Sequence, residues 1–205
     1  MNIVEEIAGK AITIADNQQK VFDAGKTKEW SDFWDAFQNY GDPNGTICPY
    51  AFAYGRFTDA NFNPKYPIYI QQGTTTADYM FYNSQDITGI NVPIYCKCAR
   101  LSNTFNNCQK LKTISYLELL ATTTFSAAFN QCYALENITI GGTIGQNGLS
   151  FNNSYKLSHD SLISVINALE VKTSGTWTLT LGETNLAKLT DVEKAIATQK
   201  GWTLA

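Results

Sequence analysis

At 205 residues, 44% of them hydrophobic and 16% charged, the chain is long enough to bury one medium core and too apolar to be wholly disordered. A net charge of -3 gives no electrostatic case for nucleic acid. The surface is left to Asn, Thr, Ser, Gln and Tyr, a set better suited to hydrogen-bonding neutral groups than to steering ions.

The first residues, Met1-Asn2-Ile3-Val4-Glu5-Glu6, carry acids where an export signal carries a basic stretch, and no apolar run of adequate length follows. Synthesis in the cytoplasm, with no signal peptide, is the expectation. No stretch approaches the roughly 18 to 20 apolar residues of a bilayer-crossing helix, so membrane insertion is not expected. Ile3, Ile7, Ala11 and Ile14 recur at helical spacing and predict a helix with one apolar stripe. Such a stripe packs on a copy of itself, which makes a homo-oligomer through this helix the expectation. Trp30, Phe33, Trp34 and Phe37 form a second, sharper stripe, ended by Asp42-Pro43-Asn44-Gly45. Residues 1–45 thus read as a helical segment for oligomerisation or attachment. Residues 46–80, dense in Tyr and Phe and interrupted by Pro49, Pro64 and Pro67, read as an aromatic-rich cap of irregular or short-stranded structure.

Over 81–157 the chain repeats itself. Phe81-Tyr82-Asn83-Ser84-Gln85-Asp86-Ile87 aligns with Phe105-Asn106-Asn107-Cys108-Gln109-Lys110-Leu111, with Phe129-Asn130-Gln131-Cys132-Tyr133-Ala134-Leu135 and with Phe151-Asn152-Asn153-Ser154-Tyr155-Lys156-Leu157. The first three units continue to an isoleucine three residues on: Ile90, Ile114 and Ile138. The phenylalanines of the four units are separated by 24, 24 and 22 residues. A period of 20 to 29 residues with this aliphatic spacing is the signature of leucine-rich repeats, in which each unit gives one short strand to a parallel sheet. The fold class expected is α/β: a short leucine-rich-repeat solenoid of parallel short strands with an irregular or helical convex side and an N-terminal helical, aromatic-rich cap.

From 158 to 205 the chain keeps a similar period but changes character. Ser158 should cap a helix over 160–169, with Leu162, Ile163, Ile166 and Leu169 facing inward. Trp177 to Leu181 alternates as a strand. Thr190-Asp191-Val192-Glu193 is a capping box opening a further helix, which Gly201 should close before a strand at Trp202-Thr203-Leu204. These units would cap the last repeat.

The five cysteines lack the CxxC spacing of zinc or redox sites. Cys108 and Cys132 share one repeat position with Ser84 and Ser154, so a buried turn that satisfies backbone groups explains them. Cys96 and Cys98 fall outside that register, and their one-residue spacing is poor for a disulfide or a metal chelate. The single histidine, in Ser158-His159-Asp160, resembles a triad only in letters, because adjacent residues do not generally form a nucleophile-base relay. Gly141-Gly142 to Gly148 lacks the lysine of a phosphate loop and reads as a turn. Asp86, Glu118 and Glu136 share no register, so no carboxylate pair is expected on the sheet. No cofactor, no metal and no catalysis are expected.

The F-x-N-C-x-x-L-x-x-I units resemble leucine-rich repeats of the BspA-like type, found in bacterial surface proteins and in proteins encoded by bacteriophages and prophages of gut Firmicutes. The stretches Gln19 to Lys26, Phe33 to Gln38, Ala51 to Ala53 and Phe62 to Tyr66 are similar to the leader region of the phage-encoded versions. So are Leu157 to Leu162, Ile166 to Leu169, Leu179 to Gly182 and Ala195 to Trp202 at the other end. The resemblance implies a non-catalytic binding or structural protein, with a protein or glycan as its ligand. A virion or tail-associated phage protein is the leading expectation. An intracellular protein that binds a host protein, and a BspA-type surface adhesin, are the alternatives. Alternation along each strand sends the residues beside the inward aliphatics outward. Thr88, Asn91, Lys112, Thr113, Ser115, Glu136, Asn137 and Thr139 are therefore the candidate binding residues, with Tyr116, Tyr133 and Tyr155 as weaker ones.

Overall fold

The computed structural model describes residues 67–70, 77–96 and 98–205. The two helices expected within 1–45, most of the aromatic-rich stretch 46–80, and Cys48 lie outside the described residues. What is described is a mixed α/β fold with parallel strands in two small sheets and few helices.

The larger sheet runs β1 (Ile68–Ile70), β2 (Gly89–Cys96), β3 (Thr113–Leu119) and β4 (Asn137–Gly142), in that order and all parallel. Its buried side is aliphatic in rows. Ile90, Ile114 and Ile138 are register partners, and so are Ile94, Leu117 and Ile140. The rows stay aligned while the strands do not. The two inward aliphatics are four residues apart on β2, three on β3 and two on β4, and the surplus is taken up as irregularities after Ile90 and after Ile114. Strict alternation, expected from the sequence, therefore fails in the middle of β2 and β3. A fixed core row costs less to keep than a uniform outer face, because the row is buried and the outer face is not.

Opposite the sheet, Phe81, Phe105, Phe129 and Phe151 stack ring on ring, with centroids 5.3, 5.2 and 4.8 Å apart, and each is fully buried. The turns that carry them repeat in backbone conformation as well. Tyr79, Asn103 and Ala127 have positive φ, as do Asn83, Asn107 and Gln131, each set spaced by 24 residues. Asparagine tolerates that left-handed region better than most side chains, which accounts for three of the six positions. The Tyr79 and Phe81 amides donate to the Ser102 and Thr104 carbonyls at 2.9 and 2.8 Å, and the Asn103 and Phe105 amides donate to Ser126 and Ala128 at 2.8 and 2.9 Å. Each turn is thus satisfied by the next, as buried backbone must be. The buried thiols complete the pattern: Cys108 donates to the Phe81 carbonyl at 3.0 Å and Cys132 to that of Phe105 at 3.1 Å.

After β4 a helix stands where a fifth strand would be. Helix α1 (His159–Asn167) is capped by Ser158, which accepts from the Ser161 amide. Its Ser161 and Ser164 hydroxyls each accept, at 2.9 Å, an amide of β4, those of Ile138 and Ile140. The edge of the sheet is closed by side chains instead of backbone. Leu162, Val165 and Ile166 of α1 are buried, Ile163 is only half-buried, and Leu169, expected within the helix, instead bridges Ile144. Strand β5 (Trp177–Leu179) pairs in parallel with β6 (Trp202–Leu204), while Thr180, expected in the same strand, bridges back to Ser150. Between them lie a short helix α2 (Glu183–Leu186), which the sequence did not announce, and α3 (Asp191–Gln199). Thr190 and Glu193 form the capping box, and Gly201 ends α3 at φ 81°. One hydrophobic core runs from Ile68 to Trp202.

Candidate binding face

The outer face of the four-stranded sheet carries the expected candidates unevenly. Asn91, Lys112, Asn137 and Thr139 are exposed. Thr88, Thr113 and Glu136 are half-buried. Ser115 is too, and its hydroxyl is buried with no hydrogen-bond partner, because it sits at the β3 irregularity instead of on a regular outward position.

Further along the strands the register assembles a group that sequence spacing did not. Tyr95, Glu118 and Gly141 are partners across β2, β3 and β4. The Tyr116 ring lies over Gly141, so closely that a Cβ there would come within 1.9 Å of its hydroxyl. That hydroxyl donates to Glu118 at 3.3 Å, and the Tyr95 and Tyr116 rings are 5.8 Å apart at 58°. Partial burial, then the Glu118 charge and hydrogen bond, push the Tyr116 phenol above its ordinary value, so it stays a neutral donor. Two phenols and one carboxylate, with Tyr116 laid over the Gly141 backbone, make a surface for neutral polar and apolar groups. A period of 24 pairs Tyr116 with Val92, whereas the irregularity pairs it with Pro93. Of this group the sequence singled out only Tyr116 as a binding candidate, one of the weaker ones.

A second aromatic pair lies on the turn side, where Tyr133 and Tyr155 are exposed with centroids 6.4 Å apart. Tyr155 also borders an open cleft of about 400 Å³ with Asn152, Gly182 and Glu183. The cleft is open to solvent and its lining is more polar than apolar, whereas ligand pockets are mostly apolar, which makes it the weaker candidate.

The remaining chemistry-bearing residues have structural partners. His159 Nε2 meets Glu193 Oε1 at 2.8 Å, tying α1 to α3, while Ser158 is occupied as the cap. Asp86 pairs with Lys110 at 2.7 Å and Asp78 with Arg100 at 2.7 Å. Among the described residues no group of three or more His, Cys, Asp or Glu side chains is placed to hold a metal ion, and no helix is long and apolar enough to cross a membrane. Cys96 and Cys98, whose spacing reads as poor for mutual chemistry, in fact have their sulfurs 2.7 Å apart in a buried position.

No family model, curated protein or solved structure matches the chain.

Proposed function

We propose that the chain is a short leucine-rich-repeat solenoid of the BspA-like type and acts as a non-catalytic binding protein, carried in a phage virion or its tail and presenting the outer sheet face to a protein or glycan. The observation that carries this reading is the coincidence of three ladders at one period: the stacked phenylalanines, the Cys108 and Cys132 thiol bonds and the recurring positive-φ turns. Each unit is too small to fold alone and buries its faces only against its neighbours, which is how repeat scaffolds are built. Such scaffolds bind through the residues on their sheet, and here those are mostly neutral polar and aromatic, with Lys112, Glu118 and Glu136 as the charged ones. The resemblance of the units to phage-encoded repeats supports the virion setting, and the apolar stripe of Ile3, Ile7, Ala11 and Ile14 would supply a segment for attachment.

Mass spectrometry of purified particles from a lysogen that encodes the chain tests the setting. The protein should co-purify with particles at constant stoichiometry through a density gradient. Its presence only in the host lysate, recovered together with a host protein, would replace the virion reading with the intracellular one.

A further inference from the structure

Cys96 is the last residue of β2 and Cys98 the first described residue beyond it. Both are fully buried, and their sulfurs approach to 2.7 Å, well inside the separation of two unlinked sulfur atoms that only pack. Neither falls on the position shared by Ser84, Cys108, Cys132 and Ser154. Cys96 is the register partner of Ile70 on β1, and the next unit places a threonine, Thr123, beside Cys98, donating to its carbonyl at 2.9 Å. We propose that Cys96 and Cys98 are a dithiol oxidised by peroxide to an intrachain disulfide, with Cys98 as the attacking sulfur and Cys96 as the resolving one.

The two thiols are electronically unlike. Cys96 is pushed far above the ordinary thiol range, first by its hydrogen bond with Cys98 and then by burial. The same hydrogen bond, helped by the backbone around Arg100 and Ala77, holds Cys98 below that range despite its burial. The thiolate is the reactive form, so Cys98 attacks. Its sulfur displaces hydroxide from hydrogen peroxide, which leaves as water after taking a proton, and Cys98 becomes a sulfenic acid. Cys96 then gives up its proton and attacks that sulfur, and a second water leaves. Two thiols and one peroxide become one disulfide and two waters, with two electrons passing to the peroxide. Both sulfurs belong to the core, so access requires a local opening at this end of it, next to Ala99 and Arg100, which are already exposed. Closing so short a loop removes little chain entropy, so the bond is a chemical device and not a staple.

Cys108 and Cys132 serve as internal controls. Each is buried and donates to a carbonyl, and burial pushes Cys132 up to about 12 and Cys108 well above the ordinary value. The folded full-length protein should be treated with hydrogen peroxide, denatured, alkylated and digested with trypsin without reduction. Trypsin cuts after Lys97, between the two cysteines, so only a disulfide keeps their peptides joined. The expected result is a joined pair that separates on reduction, with Cys108 and Cys132 recovered alkylated. Recovery of the two peptides unjoined, alkylated or over-oxidised, would overturn the proposal, as would linkage of either to Cys108, Cys132 or Cys48. In C96S, a dimedone adduct on Cys98 should replace the disulfide, and its absence would overturn the assignment of Cys98 as the attacking sulfur.

Discussion

The Cys132 thiol donates to the Phe105 carbonyl at 3.1 Å, and Ser154, which takes the same place one unit on, leaves its buried hydroxyl without a partner. A sulfur reaches further than an oxygen, and the buried turn is built around that reach. Asn185 serves the following turn by a longer arm, donating to the Phe151, Ser154 and Leu181 carbonyls. The S154C variant should therefore gain about 1 kcal/mol, one net hydrogen bond, and C132S should lose about 1 to 3 kcal/mol by orphaning a buried hydroxyl. Urea unfolding of the two variants checks both signs, and equal effects in the same direction would show that the ladder position does not discriminate sulfur from oxygen.

The sheet edge offers a second check. Ser161 and Ser164 accept the Ile138 and Ile140 amides, so S161A and S164A each leave an edge amide unpaired. Each should cost about 1 to 3 kcal/mol, and more at Ser161, which is almost fully buried. The double variant also frees the β4 edge to pair with another chain. Thermal melts should fall stepwise, and light scattering should show self-association in the double variant alone.

Helix α3 makes a pH-dependent contribution. The Thr190 backbone amide, then its hydroxyl, then His159, hold the Glu193 carboxyl below its ordinary value of 4.5. A carboxyl lowered in the folded state stabilises the fold above its unfolded value, and that contribution is lost as pH falls through the folded one. Melting temperature measured from pH 7 to pH 3 should drop less steeply below about 4.5 in E193Q than in the native protein. Identical slopes would remove Glu193 from the acid response.

Much of this was readable from residue order because the information was local. The Ser158 cap, the Thr190 capping box, the Gly201 stop and the phenylalanine period each depend on residues within a few positions or on one constant spacing. What escaped depends on how neighbouring units differ. The gap between inward aliphatics shrinks from Ile90–Ile94 to Ile138–Ile140, and a fixed period cannot express that. It misplaced Ser115, and it hid the meeting of Tyr95, Tyr116, Glu118 and Gly141. The Cys96 and Cys98 contact escaped for another reason: it lies just beyond the end of a strand, and no residue pattern marks it.

The claim that consecutive units are stacked layers, each answering only to its neighbours, is tested most directly by excising one whole period, residues 105–128, so that Thr104 joins Phe129. Interchangeable layers predict a shorter protein with an unchanged circular dichroism shape and a cooperative melt at lower temperature, while removal of half a period, residues 105–116, unfolds the chain. An unfolded or aggregated product from the whole-period excision, no better than the half-period one, would contradict it.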